Sequence, residues 1–118
     1  MKKQFNVVII GGGTGGIMTA AQLKRKNKNL SIAILEPRTE HYYQPAWTLV
    51  GAGTFNFKST RREESKMIPP GVEWIQDFAT TFEPEKNSVN TKGGEQLGYD
   101  YLVLSPGIQN DIDALPGL

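Results

Sequence analysis

The chain contains no cysteine. That absence excludes disulfides, cysteine-based metal sites and thiol redox chemistry carried by its own side chains. Its only histidine is His41, with no neighbouring group of Asp, Glu and His at ligand spacing. A metal site needs several such donors, so His41 reads as a structural or loop residue. No apolar run approaches the ~20 residues that a membrane-spanning helix requires. The basic start Met1-Lys2-Lys3 is superficially like a signal peptide, but the apolar run after it breaks at Gly11, too short for a secretory core. An excess of one charge is also lacking, since 13 Lys and Arg stand against 12 Asp and Glu. The net +1 gives no overall attraction to nucleic acid or to an anionic membrane. The expectation is a cytosolic protein, or one peripheral to a membrane, and 118 residues suffice for one small domain.

What the chain does have is glycine in one particular place. Val7-Val8-Ile9-Ile10 runs directly into Gly11-Gly12-Gly13-Thr14-Gly15-Gly16. Glycines at 11, 13 and 16 have the G-x-G-x-x-G spacing: a tight turn, a close approach of backbone to a pyrophosphate, and close packing of the next helix on the strand. The pyrophosphate then sits at a helix N-terminus, where free N–H groups and the helix dipole favour an anion. The surrounding pattern supports that reading. Thr14 to Lys26 predicts a helix with Ile17, Ala20 and Ala21 on one face. Lys24, Arg25, Lys26 and Lys28 gather at its end, where cations complement the dipole and solvate the outer face. A second apolar run, Leu30 to Leu35, ends at Glu36. Glu36 stands 20 residues after Gly16, the ~20-residue offset of the acid that binds a ribose hydroxyl.

A carboxylate at 36 accepts hydrogen bonds from ribose hydroxyls and repels a 2′-phosphate, which argues against NADP but does not separate NAD from FAD. Pro37 stops the strand. Arg38 beside it lies over the adenine or faces water, and the sequence leaves both open. His41-Tyr42-Tyr43-Gln44-Pro45-Ala46-Trp47-Thr48-Leu49-Val50-Gly51-Ala52-Gly53 follows, too aromatic for a simple connector, and reads as a packed wall. Phe55 to Met67 is expected to be a helix with a solvated face, ended by Pro69-Pro70-Gly71. Val72 to Gln76 is a third strand. From Phe78 the segments Phe78–Phe82, Ser88–Thr91 and Gln96–Tyr99, joined by turn residues, predict antiparallel hairpins. Tyr101 to Leu104 then returns as a parallel strand ending at Ser105-Pro106-Gly107.

The HYYQPAWTLVGAG run, placed after GGGTGG and an ILEP strand end, resembles the N-terminal part of sulfide:quinone oxidoreductases, members of the flavoprotein disulfide reductase superfamily. Ile68 to Ile75 and Tyr99 to Gln109 look like that family too, so the resemblance covers nearly the whole chain. It implies an α/β fold: a Rossmann-like parallel sheet with a βαβ dinucleotide-binding unit, and a three-stranded antiparallel meander in place of one crossover helix. It implies FAD as cofactor, sulfide as electron donor and a membrane quinone as acceptor. The redox-active cysteine pair of that family is not among these residues. The chain is therefore expected to be the first part of an FAD-binding domain, without its last strand or a second domain. An open sheet edge would then be available for self-association, and FAD would meet only part of its pocket.

The expected cofactor-binding residues are Gly11, Gly12, Gly13, Thr14, Gly15 and Gly16 at the pyrophosphate and Glu36 at the ribose, with Pro37 and Arg38 beside it. By resemblance, Ala79 offers backbone contacts to adenine, and Gln44 and Pro45 lie toward the flavin. Gly107 corresponds to the family's Ala-Thr-Gly strand end, whereas Ser105 and Pro106 depart from it. Two other readings remain: part of a type II NADH:quinone dehydrogenase, and a stand-alone dinucleotide-binding module without redox chemistry.

Overall fold

The computed structural model describes residues 2–117. Its centre is a six-stranded sheet. Strand β1, Lys2–Ile10, leads through the glycine turn into helix α1, Thr14–Lys26, and α1 returns to β2, Ile32–Leu35. Strands β1 and β2 pair in parallel, with Ile10 opposite Leu35. This is the βαβ unit that the sequence predicts. After the segment that carries the aromatic run, β5, Val72–Ile75, pairs in parallel with β2. Strands β6, Ala79–Glu83, and β7, Ser88–Thr91, are antiparallel to each other.

One expectation about the sheet is corrected. Gln96–Tyr99 and Tyr101–Leu104 are not two strands but one, β8, Gln96–Leu104. Its first half pairs antiparallel with β7, while its whole length runs parallel to β1 from Lys2–Gln96 to Ile10–Leu104. Gly98, which weakens a strand in isolation, is paired on both sides, with Gln4 and Ser88, whereas Asp100 lies where only β1 is alongside, its carboxylate accepting the Asn6 amide N–H at 3.0 Å. The third strand of the meander is thus itself the central parallel strand, and the order is β5-β2-β1-β8-β7-β6.

Successive side chains of a strand point to opposite faces, and β1 and β2 are buried on both. On the α1 side Val7, Ile9, Ile32 and Ile34 pack with Ile17 and Ala20. On the other side Phe5, Val8, Ile10, Ala33 and Leu35 pack with Val89, Leu97 and Tyr99. A strand flanked by apolar packing on both faces reads as a near-continuous hydrophobic run, which is why Val7–Ile10 shows no alternation. In the last turn of α1 the Lys24 ammonium donates to the carbonyls of Lys28 and Leu30, in the loop that leads to β2.

The segment between Phe55 and Met67 is a second correction. In place of one helix it forms a 3₁₀ turn at Phe57–Thr60, strand β4 at Arg61–Glu63 and a single helical turn at Glu64–Met67. Strand β4 pairs antiparallel with β3, Glu40–Tyr42. The segment lacks an apolar stripe at helical spacing, so nothing rewards a continuous helix. Instead Thr60 is buried, its hydroxyl donating to the Phe57 carbonyl, and the backbone finds its partners in the small two-stranded sheet. Between these strands a 3₁₀ turn at Gln44–Ala46 and the short helix α2, Trp47–Gly51, carry the aromatic run. The one-turn helix Glu64–Met67 is α3.

Candidate functional site

The carboxyl ends of β1, β2 and β8 open on one cleft of about 850 Å³. Its floor is the glycine turn. Gly11 has φ +106°, and a Cβ there would overlap the Ser105 carbonyl oxygen at the end of β8. At Gly16 a Cβ would overlap the Gly11 carbonyl oxygen. These two glycines let turn, helix and neighbouring strand touch. Gly13 differs: a Cβ placed on it meets nothing within 4 Å, so its missing side chain leaves room on the cleft side. No side chain caps α1 at Gly13, and its first turn holds no acidic residue. The first N–H groups of a helix have no partner within it. Here they stand where Gly13, Thr14 and Gly15 line the cleft, with the positive end of the helix dipole behind them.

Glu36 closes the rim. Its Oε1 accepts the Gly12 N–H at 2.9 Å and its Oε2 accepts the Arg38 N–H at 3.0 Å. Its backbone is fixed as well, its N–H donating to the Ile75 carbonyl at 3.0 Å and its carbonyl accepting the Trp74 indole N–H at 2.9 Å. A carboxylate has about four acceptor positions, so both oxygens keep capacity for a diol. The side chain points at the glycine turn, not away from it.

Of the residues that the sequence singles out, Gly11, Gly13, Thr14, Gly15, Glu36, Pro37, Arg38, Gln44, Pro45, Ala79 and Gly107 line this one cleft. Gly12 and Gly16 lie behind it: Gly12 is pressed against Glu36, and Gly16 against Gly11 and Ile9. Ser105 and Pro106, set aside as departures from the family pattern, line the cleft too. The Ser105 hydroxyl and N–H both donate to the Ile10 carbonyl, at 3.1 and 2.8 Å, holding β8 against the start of the turn. Tyr42 and Tyr43, which the sequence reads as part of an aromatic wall and not as cofactor contacts, line it too, as do Asp77 and Phe78. The aromatic density around Tyr42 was a usable signal for the first two. Tyr42 packs with Trp47 and Phe57 at ring centroid distances of 5.9 and 6.0 Å, which makes the run a packed wall. Asp77 accepts the Phe78 and Gly93 N–H groups at 2.7 and 2.9 Å, and these bonds hold its carboxyl below the usual carboxylate range.

A buried acid behind the turn escaped sequence reasoning altogether. Glu64, expected on a solvated helix face, is 1% exposed. Its Oε1 has no hydrogen-bond partner and lies 2.8 Å from where a Cβ on Gly12 would stand. Burial, and next the charge of Glu36, push its carboxyl up to about 7. His41 is buried beside it, with Nδ1 3.9 Å from Glu64 Oε2 and 3.4 Å from the Gly12 carbonyl oxygen. With its proton on Nδ1 the ring donates to that carbonyl, the structural role expected of a lone histidine. Nothing in the local sequence Arg61-Arg62-Glu63-Glu64 distinguishes the buried acid from its exposed neighbour; only the pairing of β4 with β3 turns Glu64 inward.

Comparison with known proteins agrees with this geometry. The mitochondrial sulfide:quinone oxidoreductase of Dictyostelium discoideum is 47% identical over 119 residues, covering 100% of the chain and 26% of the relative. The mouse mitochondrial enzyme of the same name is 41% identical over 117 residues, covering 99% and 26%. The chain thus spans about a quarter of the length of these curated relatives. Among solved structures, the sulfide:quinone oxidoreductase of Aquifex aeolicus superposes with a TM-score of 0.75 at 31% identity, covering 93% of this chain and 25% of that one. The profile of the pyridine nucleotide-disulphide oxidoreductases matches residues 5–118, and the chain belongs to that family.

Proposed function

We propose that the chain is the first part of the FAD-binding domain of a sulfide:quinone oxidoreductase, and that its cleft holds the adenosine diphosphate half of FAD. The observation that carries this reading is the Glu36 carboxylate. It is anchored to the Gly12 and Arg38 N–H groups at the mouth of a glycine turn whose helix N-terminus is uncapped. The residues fit the group. The helix N-terminus and the open side of Gly13 receive the pyrophosphate, and Glu36 accepts the ribose hydroxyls and rejects a 2′-phosphate. Phe78 and Ala79 line the cleft next to Asp77 and would offer contacts to the adenine, and Tyr43, Gln44 and Pro45, which line it too, would face the rest of the cofactor. When bound, FAD supplies two-electron redox chemistry; these residues bind, orient and screen it from water. With no cysteine in the chain, the sulfur chemistry of such an enzyme is not carried by its own side chains.

The whole enzyme would pass electrons from sulfide to a membrane quinone while attached peripherally to the membrane. Among the described residues no helix is long and apolar enough to cross a membrane. Self-association would use the sheet edges at β5 and β6, each paired on one side only.

The test is calorimetric titration of the protein with FAD, ADP-ribose, NAD and NADP, comparing wild type with Glu36→Ala and Glu36→Gln. Loss of hydrogen bonds to a charged group is worth about 1.5–3 kcal/mol, or roughly one to two orders of magnitude in affinity. That loss is expected for FAD and ADP-ribose, with NADP weak throughout. Unchanged affinity in both variants, each shown to unfold cooperatively, overturns the assignment.

A further inference from the structure

The glycine turn is gripped from behind as well as offered in front. The N–H of Gly12 is held by Glu36 and its carbonyl faces His41 at 3.4 Å. Against its Cα, in the place a side chain would fill, lies the unpartnered Oε1 of Glu64. Two carboxyl groups therefore share the back of one peptide, and one of them has the ribose to bind. A buried carboxylate without a hydrogen-bond partner is costly, and the charge of a neighbouring carboxylate, even one hydrogen-bonded as Glu36 is, adds to that cost. An incoming pyrophosphate adds further negative charge on the far side of the turn.

We propose that Glu64 is a positioning residue for the dinucleotide site: as a neutral acid it leaves Glu36 seated on Gly12 and the turn receptive to a pyrophosphate, and as a carboxylate it opposes both. Binding of a nucleoside diphosphate is thereby coupled to proton uptake at Glu64. This rests on the ribose role of Glu36 proposed above.

The surroundings of Glu64 make it the group that responds. Glu36 faces it from the end of β2, and His41 from β3, with Nδ1 3.9 Å from Oε2. On its own helix, Lys66 is turned outward to Glu63 at 3.7 Å. The guanidinium of Arg62, on β4, is spent on the carbonyls of Ser59 and Arg61, and that of Arg61 on Glu40. The Glu64 N–H donates to the Thr39 carbonyl at 2.8 Å, which ties the start of α3 to the residue before β3. Burial and Glu36 already hold its carboxyl near neutrality, so a further negative charge acts on a group poised to keep its proton.

ADP-ribose is the probe of choice: it carries only the parts that the turn and Glu36 meet, and it has no group titrating near neutrality. Its affinity is measured by calorimetry from about pH 6 to about pH 8.5, in two buffers of different ionisation enthalpy. Wild type is expected to lose up to about tenfold in affinity across that range, equivalent to about one pKa unit gained by Glu64 on binding, and to take up about half a proton near pH 7.5. Glu64→Gln, which fixes the neutral form, is expected to bind with a flat pH profile and no proton uptake. Proton uptake in wild type needs no variant and stands if Glu64→Gln folds poorly. Binding with no proton uptake, or a pH profile unchanged in Glu64→Gln, overturns this proposal while leaving the ribose reading intact. No binding of ADP-ribose at any pH overturns both.

Discussion

Glu64 also makes a prediction about folding that requires no ligand. An ordinary glutamate titrates at 4.5, and in the folded protein Glu64 is pushed up to about 7. Below 4.5 both states carry the proton and pH has no leverage on this group. Between 4.5 and about 7 the folded state holds a proton that the unfolded chain has released, so each step up in pH favours unfolding. Above about 7 the loss is complete. At ~1.36 kcal/mol per pKa unit the whole effect is about 3 kcal/mol, a large share of the 5–15 kcal/mol that stabilises a typical domain. Asp77 and Glu83 act in the other direction. The Phe78 N–H holds Asp77 down and the Asn90 amide holds Glu83 down. Their contribution is present above their unfolded values and lost as pH falls through the lower folded ones, at the acid end and equally in wild type and variant. Urea unfolding of wild type and Glu64→Gln at half-unit steps from about pH 5 to about pH 8 isolates the term. The two should be of similar stability near pH 5. The variant should become the more stable by about 3 kcal/mol at pH 8. Parallel curves over that range refute a buried, proton-holding Glu64.

The glycines of the turn should separate fold from function. Gly16→Ala drives a Cβ into the Gly11 carbonyl and to within 3.2 Å of Ile9 Cγ2. Displacing backbone costs at least the ~1–3 kcal/mol of ordinary overpacking, read as a lower urea midpoint or loss of cooperative unfolding. Gly13→Ala meets nothing within 4 Å and should leave stability within about 1 kcal/mol of wild type. It should still weaken ADP-ribose binding, because its methyl group enters the approach to the helix N-terminus.

How much of this was legible beforehand depends on whether the signal is local. The βαβ unit was readable because each part has a local cause: an unbroken apolar run for a strand covered on both faces, glycines at contact points, an acid at the next strand's end. Most of the site followed, since those residues place the cleft. The course of β8 was not readable. Gly98 and Asp100 look like punctuation, but pairing with both β1 and β7 carries the strand through Gly98 and pairing with β1 carries it past Asp100. The segment 55–67 misled for the opposite reason. Its charge pattern fits a solvated helix, but an amphipathic helix needs an apolar face, and here the decisive partner is β3, about twenty residues earlier. Ser105 and Pro106 were discounted for their identity, whereas the cleft uses their backbone position, which any strand end at that place would supply.

The small sheet is more than an appendage carrying aromatics. It is tied to the strand end and turn by backbone and side chain together: Glu64 N–H to Thr39, Tyr43 N–H to the Thr60 carbonyl at 2.8 Å, and His41 to Gly12. The buried Thr60 hydroxyl also lies 3.3 Å from the Trp47 indole N–H, which donates to it. The wall of Tyr42, Trp47 and Phe57 is thereby referenced to the same frame as the glycine turn. A displacement of the wall, whose Tyr42 lines the cleft, is relayed through β3 toward the back of Gly12, where Glu64 and His41 sit. Burying an acid there costs stability at neutral pH, yet it gives the glycine turn and the aromatic wall a common contact. The aromatic run and the glycine motif lie about thirty residues apart in sequence, and the two-stranded sheet is the element that makes them one site.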